Sequence, residues 1–153
     1  MKLWHFQRRL TSLLLGWAAA SIGVGLAVGR GGDALRRGVG EQYVGWGVVN
    51  AIIAIVGRRG AGRRRSRPEG NTPEAIAAEK RMLARLLWLN TGLDVLYVLG
   101  GRRVMRGRGA GDTHWRGRGL GIVLQGGFLF FFDLLNALAL RRVDQGLGKS
   151  ARP

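Results

Sequence analysis

The chain has 153 residues, 46% of them hydrophobic, and a formal net charge of +16. It contains no cysteine, which excludes disulfides, thiol redox chemistry and thiolate metal sites. Its two histidines, His5 and His114, lie outside the apolar runs, which argues against a haem held between membrane helices by paired histidines. We therefore predict neither a cofactor nor a metal site.

Four long apolar runs alternate with strongly basic segments, a pattern typical of membrane spans separated by aqueous loops. A hydrocarbon core of about 30 Å takes about 20 apolar residues as helix. We place the spans at residues 10–29, 40–57, 82–101 and 119–140. The sequence thus predicts a single all-α domain, a bundle of four transmembrane helices.

The first span begins like a secretory signal peptide, because basic residues precede it and small residues at positions 18 and 20 could form a cleavage site. The apolar run nevertheless continues to Gly29, which favours an uncleaved span. Ser21, Gly25 and Gly29 form a ladder of small residues at spacing four, which allows close helix packing within the bundle or between protomers. A homo-oligomer therefore remains open.

The segment from residue 58 to residue 71 is predicted to be a flexible basic loop. A nucleic-acid site is disfavoured, because no aromatic residues interleave with the arginines and no binding motif is present. Arginines beside a membrane span attract anionic lipid head groups. The residues predicted to do so are Arg58, Arg59, Arg63, Arg64, Arg65 and Arg67.

The third span is predicted to end a longer helix that begins in water near residue 73. Thr72 suits an N-cap, Pro73 suits the first helical position, and Glu74 suits the positive end of the helix dipole.

Basic residues also predict the orientation, because they accumulate on the cytoplasmic side of a membrane. The two termini and the loop after the second span carry 15 Lys and Arg, against nine in the other two loops. We therefore expect an inner-membrane protein with both termini in the cytoplasm.

An internal repeat is indicated by two alignments of the chain with itself. At a separation of 71 residues, Trp17 meets Trp88. At a separation of 83, Gln42 meets Gln125, Asn50 meets Asp133, and an Arg-Arg pair follows each. This pattern predicts two duplicated helical hairpins, arranged as parallel repeats about an axis along the membrane normal.

Polar residues recur near the middle of the last three spans, and we expect them to face inward as one layer. No Lys, Arg or His lies at the same depth, so a proton or a cation is the implied companion of the two carboxyls. The alternative is that these groups are neutral hydrogen-bonding glue between helices. The layer comprises Asn50, Asn90, Asp94, Gln125, Asp133 and Asn136.

Over residues 10–142 the repeated Gln, Asn/Asp and Arg-Arg pattern resembles uncharacterised bacterial families of small four-span membrane proteins with domain-of-unknown-function names. The resemblance implies no activity. Two function classes remain: a non-enzymatic scaffold or accessory subunit, or a small transporter or channel that uses Asp94 and Asp133 as a proton or cation relay. An enzyme is less favoured, because nothing in the sequence indicates a substrate.

Overall fold

The computed structural model describes residues 2–143. Four long helices and one 3₁₀ turn, Arg108–Ala110, make up the secondary structure of these residues. Each helix is long and apolar enough to cross a membrane, which confirms the predicted all-α four-helix bundle. Lys149 and Arg152, counted in the positive charge of the C-terminal tail, lie outside the described residues. The helices are α1 (Leu3–Arg30), α2 (Ala34–Arg65), α3 (Pro73–Arg106) and α4 (Thr113–Arg141).

Three of the helices begin with a side chain that caps the backbone. The side chain of Asp33 accepts a hydrogen bond from the Arg36 N–H at the start of α2, and Asp112 does the same for two N–H groups of α4. The Thr72 hydroxyl accepts from the Ala75 N–H, with Pro73 as the first residue of α3. The predicted start of the third helix is confirmed.

The predicted basic loop is shorter than expected, because α2 continues through residue 65. Arginine is a good helix former, and a basic last turn interacts favourably with the negative end of the helix dipole. The connection to α3 therefore spans only residues 66–72, and five of the six arginines predicted to lie in a flexible loop are helical. We call this end of the bundle, where α1 and α3 begin, the basic end.

Each hairpin closes through glycines. A Cβ on Gly25 of α1 would lie 2.7 Å from the carbonyl oxygen of Gly40 of α2, and a Cβ on Gly101 of α3 would lie 2.8 Å from that of Gly119 of α4. Gly25 thus corresponds to Gly101, 76 positions later, and Gly40 corresponds to Gly119, 79 positions later. The two sequence alignments instead placed equivalent residues 71 and 83 positions apart. In packing, Asn50 of α2 therefore corresponds to Leu129 of α4 rather than to Asp133.

The two hairpins meet where α2 crosses α4, near the end opposite the basic end. A Cβ on Gly38 would collide with the backbone of α4, and a Cβ on Gly117 would collide with the carbonyl of Leu35. Beside this crossing, Glu41 of α2 accepts hydrogen bonds from Arg118 of α4 and pairs with His114. Only glycine allows the two backbones to come this close.

The buried apolar core lies at the basic end, where α1, α3 and α4 meet. Large hydrophobic residues along the middle of the helices instead point outward; Ile52 is 56% exposed and Leu96 is 61% exposed. An exposed apolar belt of this kind suits contact with lipid. The core cluster consists of Leu3, Phe6, Leu10, Leu83, Leu87, Ala137, Leu140 and Val143.

Candidate functional site

Four of the six polar residues predicted to form a layer surround one cavity. Asn50 comes from α2, Asn90 and Asp94 from α3, and Asp133 from α4. The cavity has a volume of about 130 Å³, and all four helices contribute to its wall. Its remaining lining residues are Leu14, Trp46, Val49, Ile53, Leu93, Tyr97 and Leu129.

The two carboxyl groups of this site lie within interaction range of each other, although they come from different helices. Asp94 is 3% exposed and Asp133 is 7% exposed, so neither is solvated at the protein surface. The amide of Asn90 lies beside the Asp133 carboxyl. A buried pair of this kind concentrates acceptor oxygens in a medium of low dielectric constant, where each needs a donor or a cation.

Two polar atoms of the site lack a partner among residues 2–143. They are Oδ2 of Asp94 and Nδ2 of Asn50, and both are buried. Buried polar atoms in native proteins are nearly always hydrogen-bonded, so these two atoms are where a polar ligand in the cavity would form its hydrogen bonds.

None of the described residues that line the cavity is basic. A carboxylate in the hydrocarbon region is costly and is normally balanced by a basic side chain, a proton or a metal ion. The described wall supplies no side-chain cation, so an ionised pair here would need a proton or a cation as its counter-charge.

The cavity opens towards the outer surface of the bundle between α2 and α3. Four of its lining residues, two from each of these helices, are more than a third exposed: Val49, Ile53, Leu93 and Tyr97. On one side, the ring of Trp46 contacts that of Tyr97 edge-on, with centroids 4.8 Å apart. An apolar and aromatic rim therefore surrounds a carboxylate floor.

The other two residues of the predicted layer lie outside this site. The Gln125 amide donates to the Ser21 hydroxyl at 3.1 Å, and its oxygen accepts from the Trp17 indole at 3.1 Å. Asn136 donates to the carbonyl of Phe132 in its own helix. The polar groups therefore form two separate clusters and one local bond, instead of one connected layer.

The small residues predicted for packing in the first span lie on the inner side of α1. Ser21 is 1% exposed and faces α4 through its bond with Gln125. Gly25 packs against Gly40 of α2, and a Cβ on Gly40 would lie 2.9 Å from the α-carbon of Gly29. This ladder is thus occupied by contacts within the chain.

A buried charged cluster at the basic end was not anticipated from the sequence. Glu79 of α3 is 5% exposed and accepts hydrogen bonds from Arg64 of α2 and from Gln7 of α1. Glu79 lies in a segment whose sequence is typical of a solvent-exposed helix start, and no local pattern indicates that it is buried.

Of the other five arginines predicted to contact head groups, Arg58 and Arg65 line a second cavity, described below. Arg59, Arg63 and Arg67 are exposed.

Comparison with known proteins places the chain in a family. The model of a family of unknown function, DUF6992, matches residues 13–134, and the chain belongs to that family. The match includes the whole cavity between the four helices. No match was found among curated proteins or among solved structures.

Proposed function

We propose that this member of the DUF6992 family is an ion-coupled membrane carrier that binds a proton or a small cation at Asp94 and Asp133. The observation that carries the proposal is that two buried carboxyls from different helices face one cavity with no basic side chain in its described wall. Ionisable residues inside membrane bundles usually belong to ion or substrate pathways. A site shared by two helices also lets helix movement change its affinity.

Occupancy by a proton or a cation would satisfy the unpaired atoms of the site. The Asp94 oxygen without a partner would coordinate the cation or share the proton with Asp133. The Asn50 amide, which has a free donor, would hydrogen-bond a carboxylate or a bound water. Exchange of a proton for a cation at one site would couple their fluxes, since both cannot occupy it with full affinity.

The test measures proton movement in proteoliposomes that carry a pH-sensitive dye inside. With wild-type protein, an imposed sodium or potassium gradient is expected to drive proton flux. Asp94→Asn and Asp133→Asn should each abolish that flux, because the amide retains the shape of the side chain and loses the charge.

The matched control is Asp33→Asn, which removes the same charge from an exposed helix cap and leaves a residue that also caps well. Its flux should equal that of wild-type protein. Wild-type flux no greater than that of the double Asn variant, together with equal proton binding by both in detergent, would rule the carrier out.

A second candidate function is a non-enzymatic scaffold or accessory subunit in which the polar groups hold helices together. The bonds made by Gln125, which join α4 to α1 through Ser21 and Trp17, favour it. Under this alternative the Asp94 and Asp133 carboxyls are neutral glue, and their Asn variants fold and behave as wild type does. The flux experiment separates the two candidates.

We further infer an inner-membrane location with both termini in the cytoplasm, supported by the 15 to nine distribution of basic residues. Duplication of a hairpin is also part of the proposal. It is supported by the matching glycine contacts of the two hairpins and by the cap residues Asp33 and Asp112, which share the separation of 79.

A further inference from the structure

A second cavity lies at the basic end between the beginning of α1 and the end of α2. Its volume is about 250 Å³. Three guanidinium groups contribute to its wall, and none of the described lining residues is acidic. The lining residues are Trp4, Gln7, Arg8, Thr11, Arg58, Ala61, Gly62 and Arg65.

Two buried polar atoms beside this cavity have no partner within the described part of the chain. The first is Nε1 of Trp4, a hydrogen-bond donor, and the second is Oε1 of Gln7, an acceptor. Gln7 is 6% exposed, and its Nε2 is already used by Glu79. A ligand with acceptor oxygens and a hydroxyl or ammonium donor would satisfy both atoms.

The backbone adds positive potential at the same place. α1 begins without a side-chain cap and without an acidic residue in its first turn. Among the described residues, no side chain caps the first N–H groups of this helix, so the positive end of its dipole adds to the potential at the cavity. The last turn of α2, on the opposite wall, supplies basic side chains rather than acidic ones.

The depth of the cavity matches the head-group region of a bilayer. Its α1 residues, 4–11, lie where the first apolar run begins, and its α2 residues, 58–65, follow the end of the second run. Phospholipid phosphates occupy this boundary, with their acyl chains directed along the apolar helix surfaces.

We propose that this cavity binds the phosphate group of an anionic phospholipid. Arg58 and Arg65 donate charge-assisted hydrogen bonds to the phosphate oxygens, and the Trp4 N–H supplies a neutral donor. Arg8 completes the positive wall, and the free oxygen of Gln7 accepts from a head-group hydroxyl. The site is independent of Asp94 and Asp133, so either proposal can fail without the other.

The experiment titrates purified protein in a sugar-based detergent with short-chain phosphatidylglycerol and follows binding by calorimetry and native mass spectrometry. We expect saturable binding of one lipid per chain. Arg58→Gln combined with Arg65→Gln should weaken it at least about tenfold, the loss of two charged contacts. Trp4→Phe, which replaces the indole with a smaller aromatic ring that has no N–H donor, should weaken it several-fold.

The matched control is Arg59→Gln combined with Arg63→Gln, which removes the same charge from the same helix at exposed positions outside the cavity. Its affinity should stay within about twofold of wild type, because neither side chain lines the cavity and their charges act on the lipid only through screened solvent. Equal losses in the two double variants would overturn the proposal and leave only a diffuse basic surface. Absence of saturable binding by wild type would overturn it as well.

Inorganic phosphate and short-chain phosphatidylcholine distinguish the source of the ligand. Both should bind at least about tenfold more weakly than phosphatidylglycerol, because phosphate lacks acyl chains and the choline ammonium is repelled by the arginines. Phosphate that binds as tightly as the lipid would overturn the lipid assignment. Should Trp4→Phe fail to fold, the two arginine variants still decide the outcome.

Discussion

The carboxylate of Glu79 accepts two hydrogen bonds from the guanidinium of Arg64, at 2.7 and 2.8 Å, across the gap between α3 and α2. A third bond, 2.6 Å long, comes from Gln7 of α1. One side chain thus joins three helices at the end of the bundle where the apolar core lies. A two-point Arg–carboxylate contact is directional, so it also fixes the angle at which α2 ends.

Glu79→Gln is expected to lower the free energy of unfolding in detergent by about 1–3 kcal/mol. The amide cannot accept both bonds from Arg64, and it places an N–H₂ group among donors. The loss is smaller than for a fully buried ion pair, because Arg64 is 37% exposed. Glu74→Gln, an exposed change of the same kind in the first turn of the same helix, should have little effect. Equal stability of the two variants would contradict a structural role for Glu79.

Much of the architecture follows from the sequence, because membrane spans are set by length and apolar composition alone. The start of α3 was also predictable, since Thr72 and Pro73 act through local backbone chemistry. The helical state of residues 58–65 was missed because a run of arginine and glycine has no apolar periodicity. Arg64 in that segment also bonds to Glu79, which is 15 residues further along the chain and which no local pattern connects with it.

The glycines at the crossing of α2 and α4 should tolerate no side chain. Gly38→Ala and Gly117→Ala each put a methyl group against the backbone of the facing helix and should cost about 1–3 kcal/mol. Gly127→Ala in α4 meets nothing within 4 Å and should be neutral or stabilising by up to about 1 kcal/mol. Thermal unfolding in detergent compares the three. A destabilised Gly127→Ala beside a neutral Gly38→Ala would contradict the packing.

The candidate site was only partly readable from the sequence. Their positions near the middle of the third and fourth spans indicated the depth of Asp94 and Asp133, and the cost of exposing a carboxylate to lipid implied that both face inward. The depth of a residue in the membrane does not determine how its helix is rotated, however, and so does not say which neighbour its side chain faces. Gln125 therefore turned towards Ser21 of α1, and Asn136 bonded to its own helix, although both had seemed to belong to the same layer.

The orientation can be tested by cysteine labelling, since the natural chain contains no cysteine. Glu69→Cys lies in the connection at the basic end, and Gly111→Cys lies in the connection between α3 and α4. Both positions are exposed. With both termini in the cytoplasm, a membrane-impermeant thiol reagent added to intact cells should label only Gly111→Cys. Labelling of Glu69→Cys without permeabilisation would invert the orientation.

Asp94→Asn provides a test of stability that is separate from transport. Oδ2 of Asp94 is buried without a partner in the part of the chain that the structure describes, and the neighbouring Asp133 carboxyl offers it no donor when both are ionised. An amide at this position carries no charge and can donate to Asp133, so the variant should be more stable in detergent by about 1–3 kcal/mol.

A change from amide to carboxyl at another residue of the same cavity serves as the control for that experiment. Asn50→Asp adds a third carboxyl to the same cavity and should destabilise the bundle, because a further charge there has no basic partner in the described wall. In many binding sites the residues needed for function lower the stability of the fold. If Asp94 is such a residue, Asp94→Asn should raise the stability of the bundle and abolish ion coupling. If Asp94→Asn instead unfolds more readily than wild type, the carboxyl makes a stabilising bond between helices, and Asp94 belongs with Gln125 among the residues that hold the bundle together.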